Sequence, residues 1–337
     1  MAARRDRDYD GDIWNEKPVR RKSAAGTFLI TLLLVVALGV FCYSGYRLLG
    51  YYLAYKAGTD EYSGLNEGYT NLDDDPAGGS ANGSGDGSAG GQKETDPPID
   101  VSGGAGQGNI LTNVAALEDP ATLPSILEAA YHEDATENEK PGSFPVLQNP
   151  VNFAELNAVN PDVIGWLRIG AISVSYPVAQ AADNDYYLHR TFKKVDNFAG
   201  CIFENCMNSP HFTDQNTIIY GHNMKNGSMF GKLKEFGKQE TYDKNPYFWI
   251  FTPQFIYQYR IFSTAVVGKI GDPYITRFSQ EDFLKFVEKS VATSEVRCDT
   301  FTPDPSDRIV TLSTCTGNDS TRRILQGRLE QVYLAKN

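Results

Sequence analysis

Twenty consecutive residues without a charge, Thr27 to Tyr46 (TFLITLLLVVALGVFCYSGY), constrain this 337-residue chain more than any other stretch. They match the length an α-helix needs to cross a hydrocarbon core ~30 Å thick. Tyr43, Tyr46, Tyr51 and Tyr52 form an aromatic belt at the far end, where Arg47 can reach the interface. Arg20-Arg21-Lys22, just before the span, predict a cytoplasmic N-terminus and an external C-terminus. The competing reading is a cleaved signal peptide, but its apolar region would be shorter and no A-x-A site follows the span.

The chain then divides by composition. A cytoplasmic tail (1–26) and a transmembrane anchor (27–49) are followed by a flexible acidic Gly/Ser-rich linker (50–109), short helices or linker (110–143), and a folded domain (144–337). The linker contains GGSANGSGDGSAGG, which cannot bury enough apolar surface to fold. Its use is reach, letting a membrane-fixed domain sample its surroundings. Gly58 to Gly108 holds ten Asp/Glu and one Lys, so it carries about nine of the eleven net negative charges. The remainder is close to neutral, with no basic patch interleaved with aromatics to favour nucleic acid. Cys42, Cys201, Cys206, Cys298 and Cys315 show no CxxC, and His132, His189, His211 and His222 are scattered, so neither a structural metal nor a cofactor is expected. Cys201 and Cys206 are close enough for a disulfide, and two free thiols are the other reading.

Phe153, Leu156 and Val159 recur at helical spacing before Pro161 stops the turn. Short runs with turns between them then predict strands at 163–169, 173–178, 200–203, 217–220, 248–252, 258–267, 307–315 and 322–335. Many short strands of this kind indicate a sandwich or a closed barrel. One helix interrupts them over 278–291, with Ser279-Gln280-Glu281-Asp282 as its N-terminal cap and Phe283, Phe286 and Val287 on one apolar face.

Chemistry concentrates in RIVTLSTCTGNDSTRRILQGRL, Arg308 to Leu329. Ile309, Thr311, Ser313 and Cys315 alternate with Val310, Leu312 and Thr314, the two-residue period of a strand that ends at Cys315. Turn formers follow through Thr321, and a symmetric turn sets Arg322 opposite Cys315, with about 5 Å between Cβ atoms. A thiolate is the nucleophilic form of cysteine, and nearby positive charge favours it. Alternation sends the neighbouring Arg323 to the other face. Upstream, Thr217-Ile218-Ile219-Tyr220 is a strand that ends at Gly221, and His222 follows, the side chain best suited to exchanging a proton near neutral pH. The bland alternative makes Cys315 a small buried hydrophobe and Arg322 a surface charge.

TLSTC followed by Arg322, with YGHN upstream, resembles the sortases, membrane-anchored cysteine transpeptidases of Gram-positive bacteria. VIGWLRI, ISVSYPV and DNDYYLHRTF resemble the class B branch, and the similarity covers about Asn152 to Leu334. The resemblance implies a mainly β fold, a closed sortase-type β-barrel of about eight strands with N-terminal helices and one long helix before the cysteine hairpin. It implies catalytic roles for His222, Cys315 and Arg322, with 144–337 as the catalytic domain. Counting back from Gly327, the small residue of the last strand, selects Arg322 over Arg323. It further implies that Asn184, Leu188, Tyr274, Ile275 and Ser313 bind substrate, and that a thiolate–imidazolium pair needs no fixed acid beside His222. Its partners would be secreted proteins bearing a C-terminal sorting motif resembling NPxTN, and as acceptor an amine of cell-wall precursor or peptidoglycan, or a pilin lysine. Two other classes compete: a cysteine peptidase that hydrolyses the thioacyl intermediate, and a non-enzymatic membrane-tethered binding domain.

Overall fold

Aromatic and β-branched side chains at a two-residue period build, among the described residues, nine strands between Val146 and Lys336. The computed structural model describes residues 24–70 and 144–337, and the chain divides into two units, Met1–Leu53 and Ala54–Asn337. The strands are β1 (Val146–Gln148), β2 (Val163–Ile169), β3 (Val174–Ala179), β4 (Ile202–Glu204), β5 (Asn216–Tyr220), β6 (Tyr247–Phe251), β7 (Phe255–Gly268), β8 (Ile309–Cys315) and β9 (Thr321–Lys336). They lie in the order β1-β9-β7-β6-β2-β3-β4-β5-β8, and a further β9–β8 pairing closes the last eight into a barrel. Most neighbours are antiparallel; β3–β4, β5–β8 and β1–β9 are parallel. Closure removes the unpaired edges that an open sheet would expose.

Trp166, Trp249, Tyr259, Phe248 and Phe251 are fully buried and dominate the core, each aromatic ring stabilising the fold by roughly 1.5–3 kcal/mol on transfer from water. Gly327 sits under this packing: a Cβ there would stand 2.3 Å from the Phe248 ring, so β9 can pass only as glycine. Among the described residues four α-helices accompany the strands: α1 (Ala24–Tyr69), α2 (Phe153–Val159), α3 (Gln239–Lys244) and α4 (Gln280–Ala292). Ser279 caps α4 by accepting from the Asp282 N–H, and Phe283, Phe286 and Val287 pack on Phe262 of β7 and Ile309 of β8.

In α1, among the described residues, lies one helix long and apolar enough to cross a membrane. The expected flexible linker from residue 50 needs correction over its first part, because α1 continues to Tyr69. Tyr62 is 4% and Leu65 2% exposed, both in the core of the second unit. Tyr55, Tyr62, Leu65 and Tyr69 fall on one face at near-helical spacing, a stripe masked by the glycines and acids between them. The rest of the expected linker and the short helices expected over 110–143 lie outside the described residues. Cys201 and Cys206 are free thiols, and burial pushes the Cys201 thiol up to about 12.

Candidate active site

Parallel pairing of β5 with β8 brings two strand ends to one rim of the barrel. Tyr220 stands opposite Ser313, and the Gly221 N–H donates to the Ser313 carbonyl at 3.2 Å. His222 and Cys315 each follow two residues beyond that pair. Gly221 is required where the chain leaves β5, since a Cβ would stand 2.4 Å from Ile202 Cδ1. On the other side of β8, the antiparallel ladder with β9 sets Cys315 opposite Arg322 and Ser313 opposite Ile324. The hairpin register read from the sequence is therefore the register of the fold.

His222 is half-buried, and its Nε2 lies 2.8 Å from the Leu188 carbonyl. A carbonyl can only accept, so Nε2 carries the proton and Nδ1 holds the lone pair in the neutral ring. The acceptor that orients the ring is thus main chain. Burial lowers the His222 pKa; the Leu188 carbonyl works against this, and the nearby His189 adds to it. His189 is solvent-exposed, yet its ring stacks on His222 at 6.3 Å between centroids and 30° between planes. In the sequence His189 stands out only as one of four scattered histidines.

Cys315 is exposed. Arg322 is half-buried, and its Nη1 donates to the carbonyls of Thr321 (2.8 Å) and Asp319 (3.2 Å), which fold the guanidinium over the turn. Arg323 is held elsewhere, donating from Nη1 to Glu295 Oε2 at 2.8 Å and from Nη2 to Oε1 at 3.3 Å.

Tyr274 links several of the expected substrate-binding residues. Its hydroxyl is 3.0 Å from Ser313 Oγ, and its ring stacks on Tyr220 at 6.4 Å and 10°. Burial raises the Tyr274 pKa, with the Ser313 bond and Arg322 lowering it and Cys315 raising it, so the phenol senses both groups. Asn184 accepts from the Cys206 N–H at 2.8 Å, and Cys206 follows Asn205, whose Nδ2 donates to the Tyr220 hydroxyl at 3.0 Å. Ile275 is exposed. Leu188 supplies its carbonyl to His222. Asn216 escaped sequence reading: buried at the start of β5, its Nδ2 donates to the carbonyls of Pro273 (3.0 Å) and Ile275 (2.8 Å), clipping the Tyr274 turn to the barrel. A cavity of about 420 Å³ opens between β7, β9 and α4, with Ile324 and Gln326 in its lining. Neither Cys315 nor His222 lines it.

A closed mixed barrel with a thiol, an imidazole and a guanidinium at one rim belongs to the class of cysteine transpeptidases. The sortase-domain family model matches residues 167–330. The chain is 39% identical over 218 residues to sortase B of Listeria monocytogenes, covering 62% of this chain and 84% of that protein. Against sortase B of Staphylococcus aureus it is 32% identical over 177 residues, covering 51% and 72%. Among solved structures it is similar to sortase B from Bacillus anthracis, with a TM-score of 0.50 and 28% identity over 64% of this chain and 99% of that one. The chain belongs to the sortase family, in its class B branch, and is a sortase-type cysteine transpeptidase.

Proposed function

We propose that Cys315 is the nucleophile, His222 the acid and base, and Arg322 the oxyanion partner of a two-step acyl transfer. The convergence of the β5, β8 and β9 ends on one rim carries this reading. The Cys315 thiolate attacks the scissile carbonyl of a sorting motif, and the guanidinium of Arg322 stabilises the tetrahedral oxyanion. His222 gives a proton to the departing amine, leaving a thioacyl enzyme. An amine of cell-wall precursor or peptidoglycan, or a pilin lysine, then attacks, and His222 takes its proton. The Tyr274–Ser313 pair, with Asn184, Leu188 and Ile275, forms the groove that receives the motif, and resemblance to class B members favours an NPxTN-like sequence. The apolar part of α1 is the membrane anchor. Arg20-Arg21-Lys22 place the N-terminus in the cytoplasm and the transpeptidase domain outside.

The test uses the full chain in detergent micelles with an NPQTN-type peptide and oligoglycine, products read by mass spectrometry. Ligated product from the wild type, absent with Cys315→Ala, is expected. Cleavage without ligation at saturating amine would make the enzyme a peptidase. Full ligation by Cys315→Ala would remove Cys315 from the chemistry.

A further inference from the structure

Two loops hold His222, and both are tied to the same helix. The upstream loop runs from Leu188, whose carbonyl binds Nε2, to Cys201, and closes on itself through Asn197 N–H to the His189 carbonyl and Cys201 N–H to the Tyr187 carbonyl, both 2.9 Å. The last turns of α1 grip it at four points. Tyr62 donates its hydroxyl to the Gly200 carbonyl at 2.7 Å and accepts from the Phe192 N–H at 3.2 Å. Asn197 Nδ2 donates to the Ala54 carbonyl at 2.9 Å, and the Lys193 N–H donates to Glu61 Oε1 at 3.1 Å.

The downstream loop begins at His222 itself and closes through the Phe230 N–H on the His222 carbonyl at 2.9 Å. It meets α1 where the Asn226 N–H donates to the Tyr55 hydroxyl at 3.0 Å and Asn226 Nδ2 to Thr59 Oγ1 at 3.4 Å. Its far end is bound by the Tyr176 hydroxyl, accepting from the Met229 N–H at 3.0 Å, and the Tyr176 ring packs edge-on against Tyr62 at 5.4 Å.

We propose that Ala54–Tyr69 is a positioning element for His222, acting through Tyr62 on the loop that presents the Leu188 carbonyl and through Tyr55 on the loop that carries the ring. The proposal rests on the acid–base role given to His222 above. A general acid must hold its ring within a few tenths of an ångström of the proton it exchanges, and a displacement of about 1 Å costs roughly 10²-fold in rate. Tyr62 and Tyr55 touch no reacting atom; they fix two loops that would otherwise be surface segments. The helix that continues directly from the apolar span is therefore part of what makes the site competent. His189 from the upstream loop stacks on the ring; the other ionisable groups on the elements that meet here are Lys225 on the downstream loop, Glu61 on α1, and Cys315 and Arg322 at the ends of β8 and β9. Burial lowers the imidazole pKa, so a loosened ring that gains water titrates at higher pH.

The test compares Tyr62→Phe and Tyr55→Phe in the full chain in detergent, measuring kcat, KM for the sorting peptide, the pH profile and the thermal midpoint. Each substitution removes one hydroxyl and keeps the ring. The expected result is a fall in kcat of about tenfold with KM little changed, and a His222 limb displaced to higher pH. Wild-type kcat and an unmoved limb in both variants, whatever their thermal midpoints, would overturn the proposal. Should Tyr62→Phe fail to fold, Tyr55→Phe decides alone, by the same two readouts. His222→Asn separates the two levels: if it transfers at the wild-type rate, the acid–base reading has failed and the inference with it. If it is inactive while both tyrosine variants match wild type, the inference alone has failed.

Discussion

Arg322 and Arg323 differ by one position on one strand, and that position decides what each can do. Arg322 shares the Cys315 face, with its guanidinium held by two main-chain carbonyls. Arg323 is paired to both Glu295 oxygens. Lysine offers a point charge in place of the planar guanidinium that the two carbonyls hold by Nη1, so Arg322→Lys loses the fixed plane that aims the remaining N–H groups. A lost oxyanion donor costs about 10²–10³-fold, and since lysine keeps the charge, a fall in kcat/KM of roughly 10–10²-fold is expected. Arg323→Lys keeps an ion pair with Glu295 and stays within about twofold, a surface pair being worth about 0–1 kcal/mol. Steady-state kinetics on both variants check this, and equal losses would contradict the assignment. Alternation put the two arginines on opposite faces, the count back from Gly327 that the family resemblance supplies selected Arg322, and symmetric closure of the turn gave its register with Cys315. The Leu188 carbonyl and the His189 ring beside His222 were not legible, because a contact across about thirty residues depends on loop closure, which leaves no period in the sequence.

The turn carrying Tyr274 and Ile275 is held by one buried side chain. Asn216 donates to the Pro273 and Ile275 carbonyls and accepts from Thr311 Oγ1 at 2.8 Å. Asn216→Ala would leave two part-buried carbonyls without those donors, a cost of about 1–3 kcal/mol each where water cannot replace them. The expected outcome is a lower thermal midpoint and a KM for the sorting peptide raised about tenfold, the factor that about 1.4 kcal/mol of lost binding represents. The alkylation rate of Cys315 should be unchanged, because β8 keeps its ladders to β5 and β9. A KM equal to wild type would show that the turn holds its place without Asn216. Strongly patterned elements were readable here: β2 was expected at its observed bounds, and the helix expected over 278–291 is α4, Gln280–Ala292. β1 went unseen because three residues carry no period, and its partner, the C-terminal end of β9, lies nearly two hundred residues away. The last turns of α1 went unseen because Gly58, Gly64 and Gly68 lower helix propensity, and only packing of the Tyr62 face overrides it.

Closing the barrel buries one carboxyl group whose charge the fold does not compensate. Glu204 ends β4, is fully buried, and neither of its oxygens has a hydrogen-bond partner among the described residues. Burial, with Asp214 adding to it, raises its pKa well above the carboxylate range, so the folded barrel holds it neutral. In the unfolded chain it ionises above about pH 4.3. The native state therefore binds more protons than the unfolded state above that pH. Its contribution to stability is fully present below the unfolded pKa and declines as pH rises toward the folded one. Glu204→Gln keeps the shape and removes the ionisation. The other titrating groups are common to both proteins, so the stability difference between them isolates this one. The variant should gain on wild type as pH rises from 5 to 8, by at least about 1 kcal/mol, since a tenfold difference in proton affinity between the folded and unfolded chains is worth about 1.4 kcal/mol. Urea unfolding at the two pH values measures it. A difference between variant and wild type that is the same at pH 5 and pH 8 would mean that Glu204 is charged in the folded barrel, with a cation or water inside to hold it.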